Sequence, residues 1–174
     1  DYTRENTIET NGWSALINAS YKPSPNHSFS LTFMPNMIGI NNARSDSGYS
    51  SQAMQSNDFP FVVKYDQRYE ERQQLVYQAR STHYFEFAKL KVDMVASYTD
   101  GASSSPDYRK ISYGGTSTPG IYETSPVFHP AREFRYLDED ILDTKIIGEL
   151  PLNEKPGLAR TIRFGGSYFW NSRK

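Results

Sequence analysis

Hydrophobic and polar positions alternate with a period of two over most of the chain. The clearest run lies in Tyr69–Thr99. There Leu90, Val92, Met94, Ala96 and Tyr98 take one face, and Lys91, Asp93, Ser97 and Thr99 most of the other, with Val95 the exception. That periodicity belongs to a strand and not to a helix. Leu75, Tyr77 and Ala79 repeat the pattern against Glu70, Arg72, Gln74, Gln78 and Arg80, so the two runs predict a hairpin turning across Phe85–Lys89. Trp13–Lys22 alternates Trp13, Ala15, Ile17, Ala19 and Tyr21 against small polar residues. Ser28–Met37 follows beyond a Pro-rich turn at Pro23–His27, with Pro35 removing a ladder donor near its outer end. Leu137–Leu150 and Ala159–Trp170 complete six predicted strands, joined across Pro151–Leu158.

The connections run short, long, short, long, short, with long polar loops expected over Ile38–Arg68 and Asp100–Tyr136. All short turns then fall at one end of the sheet and both long loops at the other. A transmembrane β-barrel has that layout, and its tilted spans need about 9–11 residues, longer than the usual strand. Trp13, Tyr98, Tyr168 and Trp170 would lie at the outer lipid interface, and Tyr21 with Phe29 at the inner one, all on apolar faces. The competing architecture is an antiparallel sandwich whose apolar face meets a second sheet. Six strands are fewer than the about eight that close a membrane barrel, and open edges are costly in lipid. The expectation is therefore an all-β, antiparallel transmembrane β-barrel of which residues 1–174 are a partial domain.

Composition narrows the function. The 174 residues carry 19 basic and 20 acidic side chains, which is no nucleic-acid footprint. Thirty-seven percent of residues are hydrophobic and 13 are Tyr, which suits aromatic-rich β-structure better than disorder. The sequence has no run of about 18 apolar residues and no Cys, so neither a membrane helix nor thiol chemistry is expected.

The stretches MPNMIGINNARSDSGY, YEERQQLVYQARSTHYF, KLKVDMVASYTDG and FRYLDEDILDTKIIGELPL resemble the barrel of a TonB-dependent outer-membrane receptor. The closest type carries a carboxypeptidase-like regulatory domain before its plug. The resemblance implies a barrel of about 22 strands (a family figure), in the outer membrane of a Gram-negative bacterium, that imports a bulky nutrient such as a glycan, peptide or metal chelate. It also implies coupling to TonB through a plug region, contact with membrane lipid, and a surface lipoprotein that captures substrate. No plug, TonB box or coupling residue can be placed on this sequence. The alternative is a secreted β-sandwich carbohydrate-binding module. A passive porin or adhesin is a third reading.

Candidate residues follow from the faces. Arg72, Arg80, Lys91, Asp93, Lys145, Glu149 and Arg163 should face the lumen, where cross-strand charge pairing is their expected role. Tyr49, Tyr108, Tyr113 and Tyr122, set among Ser, Gly and Asn, are loop candidates for ligand contact. Asp138, Glu139, Asp140 and Asp143 lack Gly-centred calcium-loop spacing, and they read as a solvated strand tip. His27, His83 and His129 share no helical ligand spacing, so no metal site is expected from them. No nucleophile motif is present, and neither enzymatic activity nor a cofactor is expected. Gly165-Gly166 inside a predicted strand marks a bend or close packing.

Overall fold

A computed structural model describes residues 2–49, 61–115, 122–124, 129–153 and 160–174. Among the described residues every element is a β-strand: β1 (Tyr2–Ser14), β2 (Ile17–Ser24), β3 (His27–Tyr49), β4 (Phe61–Phe85), β5 (Leu90–Gly115), β6 (Tyr122–Thr124), β7 (Ala131–Asn153) and β8 (Arg160–Arg173). They form one sheet in which neighbours run β1-β3-β4-β5-β7-β8, with β2 also paired to β3 and β6 to β5. The pairs β2–β3, β5–β6 and β7–β8 are antiparallel. Among the described residues β8 has no pairing back to β1 or β2, so the sheet they form is not closed as a barrel.

The six expected spans are all strands, with two differences. The predicted span Trp13–Lys22 is broken between β1 and β2 at Ala15-Leu16. The cause lies opposite. Continuing the register Ile17↔Phe33 sets Ala15 against Pro35. The Ala15 N–H donates to the Pro35 carbonyl at 3.1 Å, but proline has no N–H to return. The lost donor therefore interrupts the neighbouring strand, while β3 itself runs on through Pro35.

The second difference is a correction. Ile38–Arg68 and Asp100–Tyr136 were expected to be loops, but β3, β4, β5 and β7 extend deep into both stretches. Asn41–Ser47 of β3 and Ser103–Asp107 of β5 carry Ser, Asn and charged residues on both faces, so no hydrophobic period betrays them, and the apolar alternation of Phe61–Tyr65 and Phe134–Tyr136 is too short to stand out. Their ladders are held by backbone bonds and cross-strand polar pairs instead. Tyr49, Tyr108 and Tyr113 accordingly sit on strands. The backbone of Tyr122 belongs to β6, and its side chain lies outside the described residues.

The chain divides into two compact units. The first comprises Asp1–Gly12, Ile38–Arg72 and Ser103–Tyr136, and the second Trp13–Met37, Gln73–Ala102 and Leu137–Lys174. In the first unit Val62 is the one hydrophobic side chain buried among all described residues. The second unit contains the turns Pro25-Asn26 and Glu86–Lys89. In the latter the N–H groups of Ala88 and Lys89 donate to the carbonyls of Phe85 and Glu86, and Lys89 takes a left-handed φ of 51°.

Among the described residues no dry core backs the apolar face of the second unit. Ile17, Leu31, Met94 and Phe164 are 59%, 63%, 37% and 54% exposed. On two of its inner strands the two faces are covered in the reverse of a water-soluble sheet. Phe29 and Leu31 are exposed, while Ser28, Ser30 and Thr32 between and beside them are half-buried. On β4 the coverage is mixed: Tyr77 and Ala79 are exposed around a half-buried Gln78, but Gln74 and Arg80 are exposed too and Leu75 is half-buried. Met94, Ala96 and Tyr98 are exposed, while Asp93, Val95, Ser97 and Thr99 are half-buried.

Candidate functional site

The polar face of the second unit is a set of charge pairs. On β5, Lys91 Nζ lies 2.9 Å from Asp93, whose other carboxylate oxygen accepts the Thr82 hydroxyl of β4 at 2.7 Å. The charge of Arg80 acts on the same carboxylate. Glu149 on β7 stands directly opposite Arg163 on β8 in the ladder, and Arg163 Nε donates to it at 2.8 Å. This is the expected cross-strand pairing. Lys145, opposite Ser167, makes no ion pair among the described residues. Arg72 pairs along its own strand with Glu70 at 2.6 Å and is not part of the Asp93 group.

The apolar face of the same unit carries an aromatic row. Phe33, Tyr77 and Tyr98, from β3, β4 and β5, stack with centroids 4.9 and 6.3 Å apart. Tyr98 keeps its ring on this face while its hydroxyl donates to Asp140 at 2.5 Å, so the apolar body and polar tip are satisfied separately. Trp13, Tyr21, Tyr168 and Trp170 are all exposed. Between the large side chains lies a groove of about 620 Å³ floored by Ala79, Ala96 and Gly166 and walled by Phe29, Met94 and Tyr168. Of the acidic cluster, Asp140 accepts from Tyr98 and Glu139 from Asn171 at 3.0 Å. Among the described residues no three His, Cys, Asp or Glu side chains gather where a metal ion would sit.

Gly148 and Gly165 shape the β7–β8 pair. Phe164 stands opposite Gly148, and its ring reaches within 2.5 Å of where a Cβ would be, so the aromatic covers the bare glycine. A Cβ on Gly165 would meet the Ile146 carbonyl oxygen at 2.2 Å, whereas one on Gly166 would meet nothing. Close packing thus belongs to the first glycine of the pair alone.

In the first unit the polar groups form a denser network. Asp46 is 2% exposed and lies between Arg4, 2.8 Å away, and Arg44. The Arg44 guanidinium, followed by that of Arg4, holds its carboxyl below the usual aspartate range against the opposing cost of burial. Asp107 accepts from Arg109 and from Arg132, the latter at 2.7 Å, and the two guanidinium groups lower its pKa to about 2. Glu133 is lowered in the same way by Lys110 at 2.8 Å and by Arg135. The Tyr108 ring lies 4.4 Å from Lys110 Nζ and 5.4 Å from the Arg135 guanidinium carbon. Tyr49 packs edge-on against Phe61, and Tyr113 against Tyr65. The described tyrosines expected at a ligand are therefore engaged with neighbours on strands, and their stacking faces are partly occupied.

One grouping has no counterpart in the sequence reading. His27 and His83 meet across β3 and β4 with their Nδ1 atoms 2.9 Å apart, flanked by Phe29 and Phe85. Fifty-six positions separate them along the chain, and only the strand register brings them together. The second unit thus carries paired charges on one face and exposed rings on the other. No family model matches the chain, and no curated protein matches it.

Proposed function

We propose that the chain is wall from the β-barrel of a TonB-dependent outer-membrane receptor, an active importer of a bulky nutrient. The observation that carries this reading is the reversed coverage of two inner strands: on β3 over Ser28–Thr32 and on β5 over Asp93–Thr99 the apolar row is the more exposed and the polar row the more covered. In water such a face would cost about 25 cal/mol for each Å² left uncovered. Acyl chains remove that cost, and the grooved row of Phe29, Leu31, Met94 and Tyr168 accommodates them. The opposite face, with Asp93, Glu149 and Arg163 in ion pairs, suits an aqueous lumen. The free edges at β1/β2 and at β8 call for further strands of the same barrel, because unpaired backbone is not tolerated in hydrocarbon. Glycans, peptides and metal chelates are the substrate classes of this reading, with TonB reached through a plug and a surface lipoprotein as partner.

These 174 residues hold no Cys, so a cysteine placed among them is the one thiol of this segment, and any cysteine elsewhere in the protein is replaced by serine beforehand. The full-length protein is reconstituted in bilayers with a polarity-sensitive fluorophore at Leu31, Ala96, Ser30 or Ser97. Brominated lipid should quench the first two and spare the last two. Equal quenching on both faces rejects the wall reading. Uptake that survives collapse of the proton-motive force rejects the TonB-dependent part alone.

A further inference from the structure

We infer that the polar face of the second unit holds a binding site for an anionic sugar, in a hollow shared by β2, β3 and β4. The hollow has a volume of about 410 Å³ and is lined by Ser20 and Lys22 of β2, Ser28 and Ser30 of β3, and Arg80 and Thr82 of β4. Ser20 stands opposite Ser30 in the ladder. The register of β2 on β3 shifts between Tyr21 and Ser24, which takes Lys22 out of the regular pairing. Shifts of this kind re-aim a side chain.

Charge and hydrogen-bonding capacity point the same way. Two cations and no carboxylate line the hollow. Among the described residues neither Lys22 nor Arg80 makes an ion pair. Arg80 feels the charge of Asp93, but that carboxylate stands outside the hollow, where it accepts from Thr82 and pairs with Lys91. The hydroxyls divide into two kinds. Ser20 donates its proton to Asn18 at 3.1 Å, and Thr82 donates its own to Asp93 at 2.7 Å, so both keep only lone pairs to offer. Ser28 and Ser30 are half-buried, and their hydroxyls make no hydrogen bond among the described residues. The free donors are thus an ammonium, a guanidinium and two hydroxyls, a set that a carboxylate or phosphate oxyanion satisfies. An oxyanion alone fills a small part of the space. A sugar ring attached to it fills more, and its own O–H groups can donate to the lone pairs of Ser20 and Thr82. The site stands on this hollow and does not depend on the importer reading.

The test uses glucuronate and glucose 6-phosphate as probes, with the full-length protein in detergent solution at low ionic strength, where charge attraction is least screened. Glucose, which lacks the charge, and inorganic phosphate, which lacks the ring, are the controls. Calorimetry should show at least one of the two probes binding more tightly than both controls. The tighter probe tells whether the oxyanion is a carboxylate or a phosphate. Lys22→Gln and Arg80→Gln should each weaken that binding about tenfold or more, because a hydrogen bond between charged groups is worth roughly that factor. Lys145→Gln, on the same face, should bind as the unsubstituted protein does. Where a variant fails to fold, the unsubstituted protein gives the answer: the probe should slow acetylation of Lys22, mapped by mass spectrometry, and leave Lys145 modified at an unchanged rate. Binding of neither probe, or of a control as tightly as the better probe, overturns the site. So does unchanged affinity in either folded variant, or acetylation of Lys22 at the same rate with and without probe.

Discussion

At the scale of single residues, the carboxylates of the first unit differ in burial, with Asp46 and Glu70 buried and Asp107 and Glu133 half-buried, and they differ in what they contribute. Asp46 is buried between two guanidinium groups, so its removal leaves Arg44 and Arg4 without their shared acceptor. Asp46→Ala should lower stability by roughly 1–3 kcal/mol, the cost of orphaning a buried polar partner. A denaturant midpoint unchanged from the unsubstituted protein would show the pair to be idle. Asp107 is half-buried, and its contribution is read from pH. Its folded pKa of about 2 lies below the about 3.9 of an unfolded aspartate. A depressed carboxylate stabilises the fold fully above the unfolded value, and that contribution fades as pH falls toward the folded one. The Asp107 carboxyl resonance should therefore titrate near pH 2 in the folded protein. Removing Arg109 and Arg132 together should move it up toward pH 4. A midpoint that stays put after both are removed would mean that neither arginine holds the charge.

At the scale of elements, the period of two located every span with a hydrophobic face, since burial or exposure to lipid leaves the same alternating mark. It was silent about the extensions of β3 and β5, where Asn41–Ser47 and Ser103–Asp107 have no apolar side to alternate. Pairing across strands was only partly legible. The Glu149–Arg163 bridge follows once β7 and β8 are set face to face, because both lie on expected polar rows. The His27–His83 contact needs the β3–β4 register, which no local signal fixes. The two adjacent glycines of β8 looked alike in sequence, and the structure separates them. Gly165→Ala drives a methyl into the backbone of β7, whereas Gly166→Ala enters open space. The first should cost about 1–3 kcal/mol, as overpacking does, and should speed amide exchange along β7 and β8. The second should leave both unchanged. Equal behaviour of the two variants would show that β8 slides to relieve the contact.

At the scale of the whole molecule, one sheet carries two kinds of face, and where a charge is added decides its cost. Met94 and Ser97 lie three positions apart on β5 and on opposite faces. In a water-soluble sandwich, Met94→Arg would put a charge into a core and Ser97→Arg would be a surface change. In a barrel wall the medium is different but the ranking is similar, so stability alone does not discriminate. Lipid thickness does. An arginine on the lipid face costs about 2–4 kcal/mol at the bilayer midplane and about 0–1 near the interfaces. Met94→Arg should therefore reduce assembly into bilayers more strongly than Trp170→Arg, whose ring is expected at an interface, although both residues are comparably exposed, at 37% and 43%. Buried area cannot produce that ordering, because the two side chains lose similar contact. The measurement is the folded fraction in vesicles, read by electrophoretic mobility without heating, with Ser97→Arg as the lumen control. If Trp170→Arg proves the more damaging of the two, depth in a membrane is not what grades these positions, and the apolar face must meet protein instead of acyl chains.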